Sequence, residues 1–277
     1  MKYTKMQGCG NDYVYVNCFK ETVDNPSEIA KRVSDRHFGI GSDGMILIKP
    51  SDTADFMMDM YNSDGSKSPM CGNGIRCVAK YVYDYGLTDK QQICIETGAG
   101  IKFLDLKVTG GKVTEVTVDM GSPIMKPELI PVLHEGEEVI AKPVNVAGTL
   151  YEITCVSMGN PHTVIFVEDT RAVELDKIGP LFEHNSLFPK RTNTEFIHGY
   201  DRNTIDMRVW ERGAGETLAC GTGACASVYA CIRNGYTEDQ VTVRLIGGEL
   251  NVRYDREKNT IFMTGPAVTV FDGDINL

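Results

Sequence analysis

The chain has 277 residues, of which 42% are hydrophobic and 24% charged, and its formal net charge is −10 at pH 7. This length allows two ordinary domains, and the composition is typical of a globular protein. The negative charge argues against nucleic acid or an anionic membrane as the main partner, because both select for basic surfaces. Residues 1–17 lack a signal-peptide pattern and no apolar run is long enough to span a membrane, so we expect a cytoplasmic protein.

The sequence contains two halves built on one plan, related by a shift of 149 positions that takes Cys71 to Cys220 and Gly10-Asn11 to Gly159-Asn160. In the first half the predicted elements are a strand at 12–16, a helix at 27–34, strands at 45–49 and 56–61, a helix at 73–85, and strands at 102–108 and 114–119. In the second half they are a strand at 163–167, a helix at 173–182, strands at 194–197 and 204–210, a helix at 222–234, and strands at 241–245 and 260–264.

The second helix of each half is apolar on most of its sides, which is typical of a buried helix. Many strands around one such helix predict an α+β fold of two pseudo-symmetric domains, each a sheet wrapped around a central helix. We expect one domain at 1–120 plus 266–277, carrying Cys71, and the other at 121–265, carrying Cys220. The segment 120–131 would connect the halves, and the stretch after 266 would return to the first domain.

Each central helix is preceded by a cysteine in the pattern Cys-Gly-x-Gly, at Cys71 and at Cys220. A helix N-terminus offers unpaired N–H groups and partial positive charge, which favour a thiolate and bind a carboxylate. Two such thiols around one bound carboxylate could invert an amino-acid α-carbon, because one removes a proton from one face while the other returns a proton to the opposite face. The pattern therefore predicts a racemase or epimerase that needs no cofactor.

Other roles for the nine cysteines remain alternatives. Most cysteines in a cytoplasmic chain are thiols that pack in the core. The spacing of Cys71 and Cys77 is not that of a zinc site, and we predict no metal site and no dinucleotide-binding motif. A cysteine-based metal or redox module would hold metal or form a working disulfide, whereas a non-catalytic amino-acid-binding protein would keep its affinity without the thiols.

Polar residues at corresponding places in the two halves are the candidate substrate contacts. Asn11 and Asn160 each follow a glycine in a predicted turn, and Asn62 and Glu211 each end a strand before the cysteine motif. Arg212 suits a carboxylate and Glu211 an ammonium group. His162 is placed to tune a nearby thiol.

The motifs resemble those of the diaminopimelate epimerase family over nearly the whole chain. Residues 70–77 (MCGNGIRC) resemble its first signature, 211–223 (ERGAGETLACGTG) its second, and 158–162 (MGNPH) and 10–12 (GND) fit as well. The resemblance implies interconversion of LL- and meso-2,6-diaminopimelate in lysine and peptidoglycan-precursor synthesis, without pyridoxal phosphate or metal. It also implies a homodimer and β-barrel-like domains.

The resemblance further implies a set of functional residues. Cys71 and Cys220 would be the acid–base pair, with His162 and Glu211 tuning them. The implied substrate-binding residues are Asn11, Asn62, Gly72, Asn73, Asn160, Asn193, Glu211, Arg212, Gly221 and Thr222. One departure is Gly44, where many members have glutamine, so that one substrate contact is in doubt. The alternative within this fold is a proline racemase-like enzyme.

Overall fold

The structure is a computed structural model that describes residues 1–276. The chain divides into two compact units, the first formed by Met1–Asp119 together with the segment from Thr264 onward, and the second by Met120–Met263. Within residues 1–276 no helix is both long and apolar enough to cross a membrane.

The elements up to the end of the first half are β1 (Lys2–Gly8), β2 (Asn11–Asn17), α1 (Pro26–Ser34), β3 (Gly44–Lys49), β4 (Phe56–Asn62), β5 (Lys67–Ser68), α2 (Gly72–Asp84), β6 (Gln92–Thr97), β7 (Gly100–Thr109) and β8 (Lys112–Gly121). The later elements are a 3₁₀ helix (Pro127–Leu129), β9 (Lys142–Val146), β10 (Thr149–Ser157), β11 (Pro161–Phe166), a second 3₁₀ helix (Thr170–Ala172), α3 (Leu175–Glu183), β12 (Asn193–Asp201), β13 (Thr204–Glu211), β14 (Gly215–Thr217), α4 (Gly221–Arg233), β15 (Gln240–Leu245), β16 (Gly248–Asp255), β17 (Thr260–Pro266) and β18 (Val268–Asp274).

The two units repeat one pattern of strand pairing. In the first, β2 pairs parallel with β3, β3 antiparallel with β4, β4 parallel with β6, and β6 antiparallel with β7. In the second, β11, β12, β13, β15 and β16 pair in the same sequence of directions. The register repeats too, since Tyr13 lies opposite Gly44 and His162 opposite Asn193. The repeat predicted from the sequence is therefore confirmed at the level of individual residues.

The central helices of the two units are almost wholly buried. Every residue of α2 from Gly72 to Ala79 is buried, and α4 is buried from Gly223 to Cys231. The helix α2 packs against β1 and β2, and α4 packs against β10–β13. Burying each large apolar side chain of such a helix contributes about 1.5–3 kcal/mol, so the helix is the core of its unit. This arrangement confirms the α+β fold in which a sheet surrounds a central helix.

The last strand of the chain lies beside the first. Strand β18 pairs antiparallel with β1, which also pairs antiparallel with β2. The amino group of Met1 donates hydrogen bonds to the carbonyl oxygen of Ile275 (2.8 Å) and to Asp274 (3.2 Å). The sheet of the first unit is thus completed by residues that follow the entire second unit in the sequence.

Candidate active site

Cys71 is the N-cap residue of α2. Its backbone is extended (φ −136°, ψ 121°), and its Sγ accepts a hydrogen bond from the N–H of Gly74 (3.3 Å). The sulfur takes the place that a serine or aspartate oxygen has in an ordinary cap. A Cβ at position 74 would lie 2.7 Å from Cδ1 of Ile46, so the start of α2 packs closely on the end of that side chain. The local sequence therefore holds the thiol at the positive end of the helix dipole.

Cys71 also contacts the predicted residue Asn11. The thiol donates to Oδ1 of Asn11 (3.2 Å), and Nδ2 of Asn11 donates to Oδ2 of Asp43 (2.7 Å). Because a carboxylate only accepts hydrogen bonds, Asp43 orients the amide so that its carbonyl faces the sulfur. The neighbouring Tyr13 is buried. Its burial, and to a smaller extent the charge of the nearby Cys71, raise the pKa of its phenol well above the usual value.

The other predicted residues of the first unit lie on α2 and on the strands β3 and β4. Gly72 and Asn73 form the first turn of α2 and are buried. Asn62 ends β4, and its Nδ2 donates to Oγ of Ser66 (3.0 Å). Gly44, the position at which many family members have glutamine, is paired directly opposite Asn62 in the sheet. A Cβ at Gly44 would lie 2.2 Å from the carbonyl oxygen of Tyr61, so the local backbone has no room for a side chain.

Cys220 has the corresponding position at the start of α4. Its backbone is extended (φ −124°, ψ 111°), and Sγ accepts from the N–H of Gly223 (3.4 Å) and contacts Oγ1 of Thr222 at 3.6 Å. Burial raises the pKa of this thiol well above its ordinary value, and the carboxyls of Glu211 and Glu195 raise it further. The hydrogen bonds from Thr222 and Gly223 act in the opposite direction. The electrostatic surroundings therefore favour the protonated thiol of Cys220.

Glu211 lies at the end of β13, close to this thiol. Burial raises the pKa of its carboxyl, while a hydrogen bond from the hydroxyl of Thr217 to Oε1 (2.5 Å) and the nearby His162 lower it. Burial is the largest of these effects, so the pKa of the Glu211 carboxyl lies above its usual value.

His162 is fully buried and bonded at both ring nitrogens. Nδ1 lies 2.6 Å from Oε1 of Glu195, and Nε2 lies 3.0 Å from Oδ1 of Asn160. The amide of Asn160 in turn donates from Nδ2 to Oγ1 of Thr222 (3.3 Å). The predicted residues Asn160, His162 and Thr222 are thus linked in one hydrogen-bonded chain, which ends at Cys220.

Asn193 and Arg212 are joined through the backbone. Nδ2 of Asn193 donates to the carbonyl of Pro161 (2.7 Å), and its Oδ1 accepts from the backbone N–H of Arg212 (2.9 Å). The side chain of Arg212 is exposed, and its guanidinium donates to the carbonyl of Lys190 (2.9 Å). In this structure Asn193 therefore fastens the loop that carries Arg212.

A buried glutamate fixes the same loop from the other side. Glu183 accepts hydrogen bonds from the backbone N–H of Gly213 (3.0 Å), from Arg191 (3.0 Å) and from the indole N–H of Trp210 (2.8 Å). All three donors serve one carboxylate that is 4% exposed. Glu183 thereby determines where the Glu211–Arg212 turn lies.

Sequence reasoning found both thiols and the helix starts but missed Tyr13, Asp43, Glu183 and Glu195. Tyr13 could have been found, because it corresponds to His162 under the shift of 149 positions. Asp43 and Glu195 border or occupy strands and carry no motif of their own. In the described part of the chain no group of three or more His, Cys, Asp or Glu side chains is arranged to hold a metal ion.

A sequence profile described as diaminopimelate epimerase matches residues 3–126 and 154–270. The chain belongs to the diaminopimelate epimerase family. A diaminopimelate epimerase of Acetivibrio thermocellus is 59% identical over 277 residues, covering 100% of this chain and 99% of the relative. Another, from Methanococcus maripaludis strain C5, is 57% identical over 277 residues and covers 100% of both chains. The family identity thus extends over the whole length.

Solved structures of lower identity share the fold. A probable proline racemase from Agrobacterium radiobacter aligns with a TM-score of 0.73 at 14% identity, covering 100% of this chain and 93% of that one. A phenazine biosynthesis protein of the PhzF family from Bacillus anthracis aligns with a TM-score of 0.69 at 20% identity, covering 100% and 99%. At these identities the likeness concerns the architecture alone.

Proposed function

We propose that this protein interconverts LL- and meso-2,6-diaminopimelate, with Cys71 and Cys220 as the acid and base. The observation that carries the proposal is the capping geometry, which appears twice. Each sulfur lies at the N-terminus of a buried helix, at 3.3 Å and 3.4 Å from the N–H group three residues later. The relatives named diaminopimelate epimerase, identical to this chain at more than half of their positions, support the choice of substrate.

The proposed reaction is a balanced exchange of two protons. A thiolate removes the α-hydrogen, so that the C–H bond breaks and an S–H bond forms, and the charge left on carbon spreads into the substrate carboxylate. The second cysteine, as a thiol, then gives its proton to the opposite face of the carbon. Helix N–H groups that bind the carboxylate lower the energy of this charged intermediate. After one turnover the two cysteines have exchanged protonation states and are ready for the reverse reaction.

The remaining candidate residues would recognise the two amino-acid ends of the substrate. Asn11, Asn62, Asn73 and Asn160 offer amides, and the backbones of Gly72, Gly221 and Thr222 offer helix-end donors. Arg212 would pair with a carboxylate and Glu211 with an ammonium group. Asn193 would contact the substrate through the second lone pair of Oδ1, because the first already accepts a hydrogen bond from the backbone N–H of Arg212.

We further propose a cytoplasmic homodimer that acts in lysine and peptidoglycan-precursor synthesis. The support is the family membership, together with nine cysteines in a chain that suits a reducing compartment. A sedimentation or light-scattering mass of one protomer at micromolar concentration would contradict the dimer.

The test is incubation with LL-diaminopimelate in D2O, followed by NMR. We expect the wild type to form meso product carrying deuterium at the inverted α-carbon. Cys71→Ala and Cys220→Ala should form none, because each lacks one of the two proton carriers. Cys18→Ala, which removes a half-buried cysteine outside the two motifs, is the matched control and should behave like the wild type. Absence of exchange in the folded, reduced wild type, or turnover by either motif variant at the wild-type rate, would refute the proposal.

A further inference from the structure

A carboxyl group lies directly beneath the start of α4. Glu195 is in β12 and has no exposed surface. A Cβ added to Gly223 would lie 2.7 Å from Oε1 of Glu195. In the first unit the same place, 149 positions earlier, is filled by Ile46, whose Cδ1 is 2.7 Å from a Cβ on Gly74. The two helix starts are thus supported alike in shape, but the supporting side chain is apolar in the first unit and a carboxyl in the second.

Glu195 is the first member of a chain of hydrogen bonds that leads to the Cys220 sulfur. Oε1 of Glu195 lies 2.6 Å from Nδ1 of His162, and Nε2 of His162 lies 3.0 Å from Oδ1 of Asn160. Nδ2 of Asn160 donates to Oγ1 of Thr222 (3.3 Å), which is 3.6 Å from Sγ of Cys220. Because the Thr222 oxygen accepts from Asn160, its own hydrogen is available to the sulfur.

The two contacts of the His162 ring determine where its hydrogens lie. A hydrogen must be on Nε2, since the amide oxygen of Asn160 can only accept, and a second must lie between Nδ1 and the Glu195 carboxyl. The other carboxyl oxygen of Glu195, Oε2, is buried and has no hydrogen-bond partner among the described residues. An isolated buried charge would be costly there, whereas a pair that shares two protons is neutral overall.

We propose that Glu195 is a positioning residue for proton transfer at Cys220. It keeps the hydrogen of His162 on Nε2 and so directs the Thr222 hydroxyl at the sulfur, where it stabilises the thiolate as it forms. The inference rests on the proposed function, because it assigns Glu195 a part in the chemistry of one of the two acid–base residues. It goes beyond that function in naming a group that touches neither substrate nor sulfur.

In the described part of the chain, four titratable groups interact with Glu195, and the test must separate their effects. They are His162 on β11, Glu211 on β13, Cys220 at the start of α4, and Cys155 on β10. Of these, Glu211 is the other carboxyl beside Cys220. A variant that removes the charge at position 195 but keeps its hydrogen bond therefore distinguishes the proposed chain from a simple field effect.

Two variants of Glu195 and one neighbouring control provide that separation. Glu195→Gln keeps an N–H for Nδ1 of His162, whereas Glu195→Ile copies the side chain of the first unit and removes the hydrogen bond. Thr194→Val removes an adjacent buried hydroxyl that has no hydrogen-bond partner within residues 1–276. We expect Glu195→Ile to lose about 10²-fold in kcat with KM changed less than about threefold, and Glu195→Gln and Thr194→Val to stay within about threefold of wild type.

The second readout is the alkylation rate of each cysteine, resolved by mass spectrometry at about pH 8. We expect the Cys220 rate to fall about tenfold in Glu195→Ile and to be unchanged in Glu195→Gln, while Cys71 reacts alike in all variants. Equal losses in both Glu195 variants, or wild-type kcat and Cys220 reactivity in both, would overturn the proposal.

The ring of His162 gives a third readout that needs no variant. In the ¹⁵N spectrum of the wild type we expect a hydrogen on Nε2, and an Nε2 without one would overturn the inference even if Glu195→Ile failed to fold. A wild type without epimerase activity would instead refute the proposed function, and the Cys220 alkylation contrast would still decide the role of Glu195.

Discussion

Adding one methyl group to Gly223 tests how closely the buried carboxyl supports the start of α4. In Gly223→Ala the new Cβ would lie 2.7 Å from Oε1 of Glu195 and 3.2 Å from Sγ of Cys220. The carboxyl would have to move away, although it is held at 2.6 Å from His162. The matched control is Gly74→Ala, whose Cβ meets the terminal methyl of Ile46, the mobile end of an apolar side chain.

The expected change in the free energy of unfolding is the difference between two opposing contributions. Replacing a helical glycine by alanine stabilises a helix by about 0.5–1 kcal/mol. Breaking a hydrogen bond to a charged group costs about 1.5–3 kcal/mol. The unfolding free energy of Gly223→Ala should therefore fall by about 1–2 kcal/mol. In Gly74→Ala the gain in the helix roughly offsets the cost of moving one methyl group, so its stability should stay close to that of the wild type.

Denaturant unfolding of both variants beside the wild type measures this difference, and the epimerase assay gives the functional counterpart. We expect Gly223→Ala to be less stable than Gly74→Ala by about 1 kcal/mol or more, which is roughly 2–4 °C in Tm for a unit of this size. It should also lose more activity, because the chain to Cys220 is displaced. Equal stabilities of the two alanine variants would refute the reasoning.

Two further predictions concern the loop that carries Arg212 and the buried thiols. Glu183→Gln removes the negative charge of the carboxylate that accepts hydrogen bonds from Trp210 and Gly213. We expect KM to rise about tenfold with a smaller change in kcat, because weaker bonds hold the loop less firmly. An unchanged KM in steady-state kinetics would contradict this. Burial raises the pKa of Cys155 to about 12, whereas an unfolded thiol titrates near about 8.5. The unfolded state therefore releases its proton first as pH rises, and the stability present below about pH 8.5 should fall by about 2–3 kcal/mol by about pH 10.5. The unfolding free energy of Cys155→Ala, measured with denaturant at both pH values, should fall by less than that of the wild type. An equal fall in the two proteins would exclude this thiol as the cause.

Much of the fold was predictable because its main signals are local. The helix at 73–85 was predicted from its apolar sides and its glycines, and α2 covers Gly72–Asp84. The apolar run of β3 and the alternating pattern of β13 located both strands within one to two residues of their ends. By contrast, β1 and β18 were not predicted as strands, because their pairing joins residues more than 260 positions apart. The side chains of β18 are all exposed or partly exposed, so this strand has no buried face that a sequence pattern could show.

The site was predictable only as far as its motifs extended. Cys71 and Cys220 follow from the repeated Cys-Gly-x-Gly, because that pattern both caps a helix and exposes its N–H groups. Glu195 is different, since within its strand it takes the place of an apolar residue, and its role depends on the ring of a histidine 33 positions earlier. A contact between two strands brought together by folding leaves no spacing signal in the sequence.

The return of the chain to its first sheet has a consequence for the order in which the protein can be made. The second unit is a continuous stretch of sequence, so all of its strands have been synthesised before the ribosome reaches β18. The first unit, although its synthesis begins earlier, lacks one of the two strands that pair with β1 until that point. Domains usually complete their folding from the N-terminus onward during translation. Here the order is reversed, and the exposed edge of β1 must be kept from pairing wrongly while the second unit is still being translated.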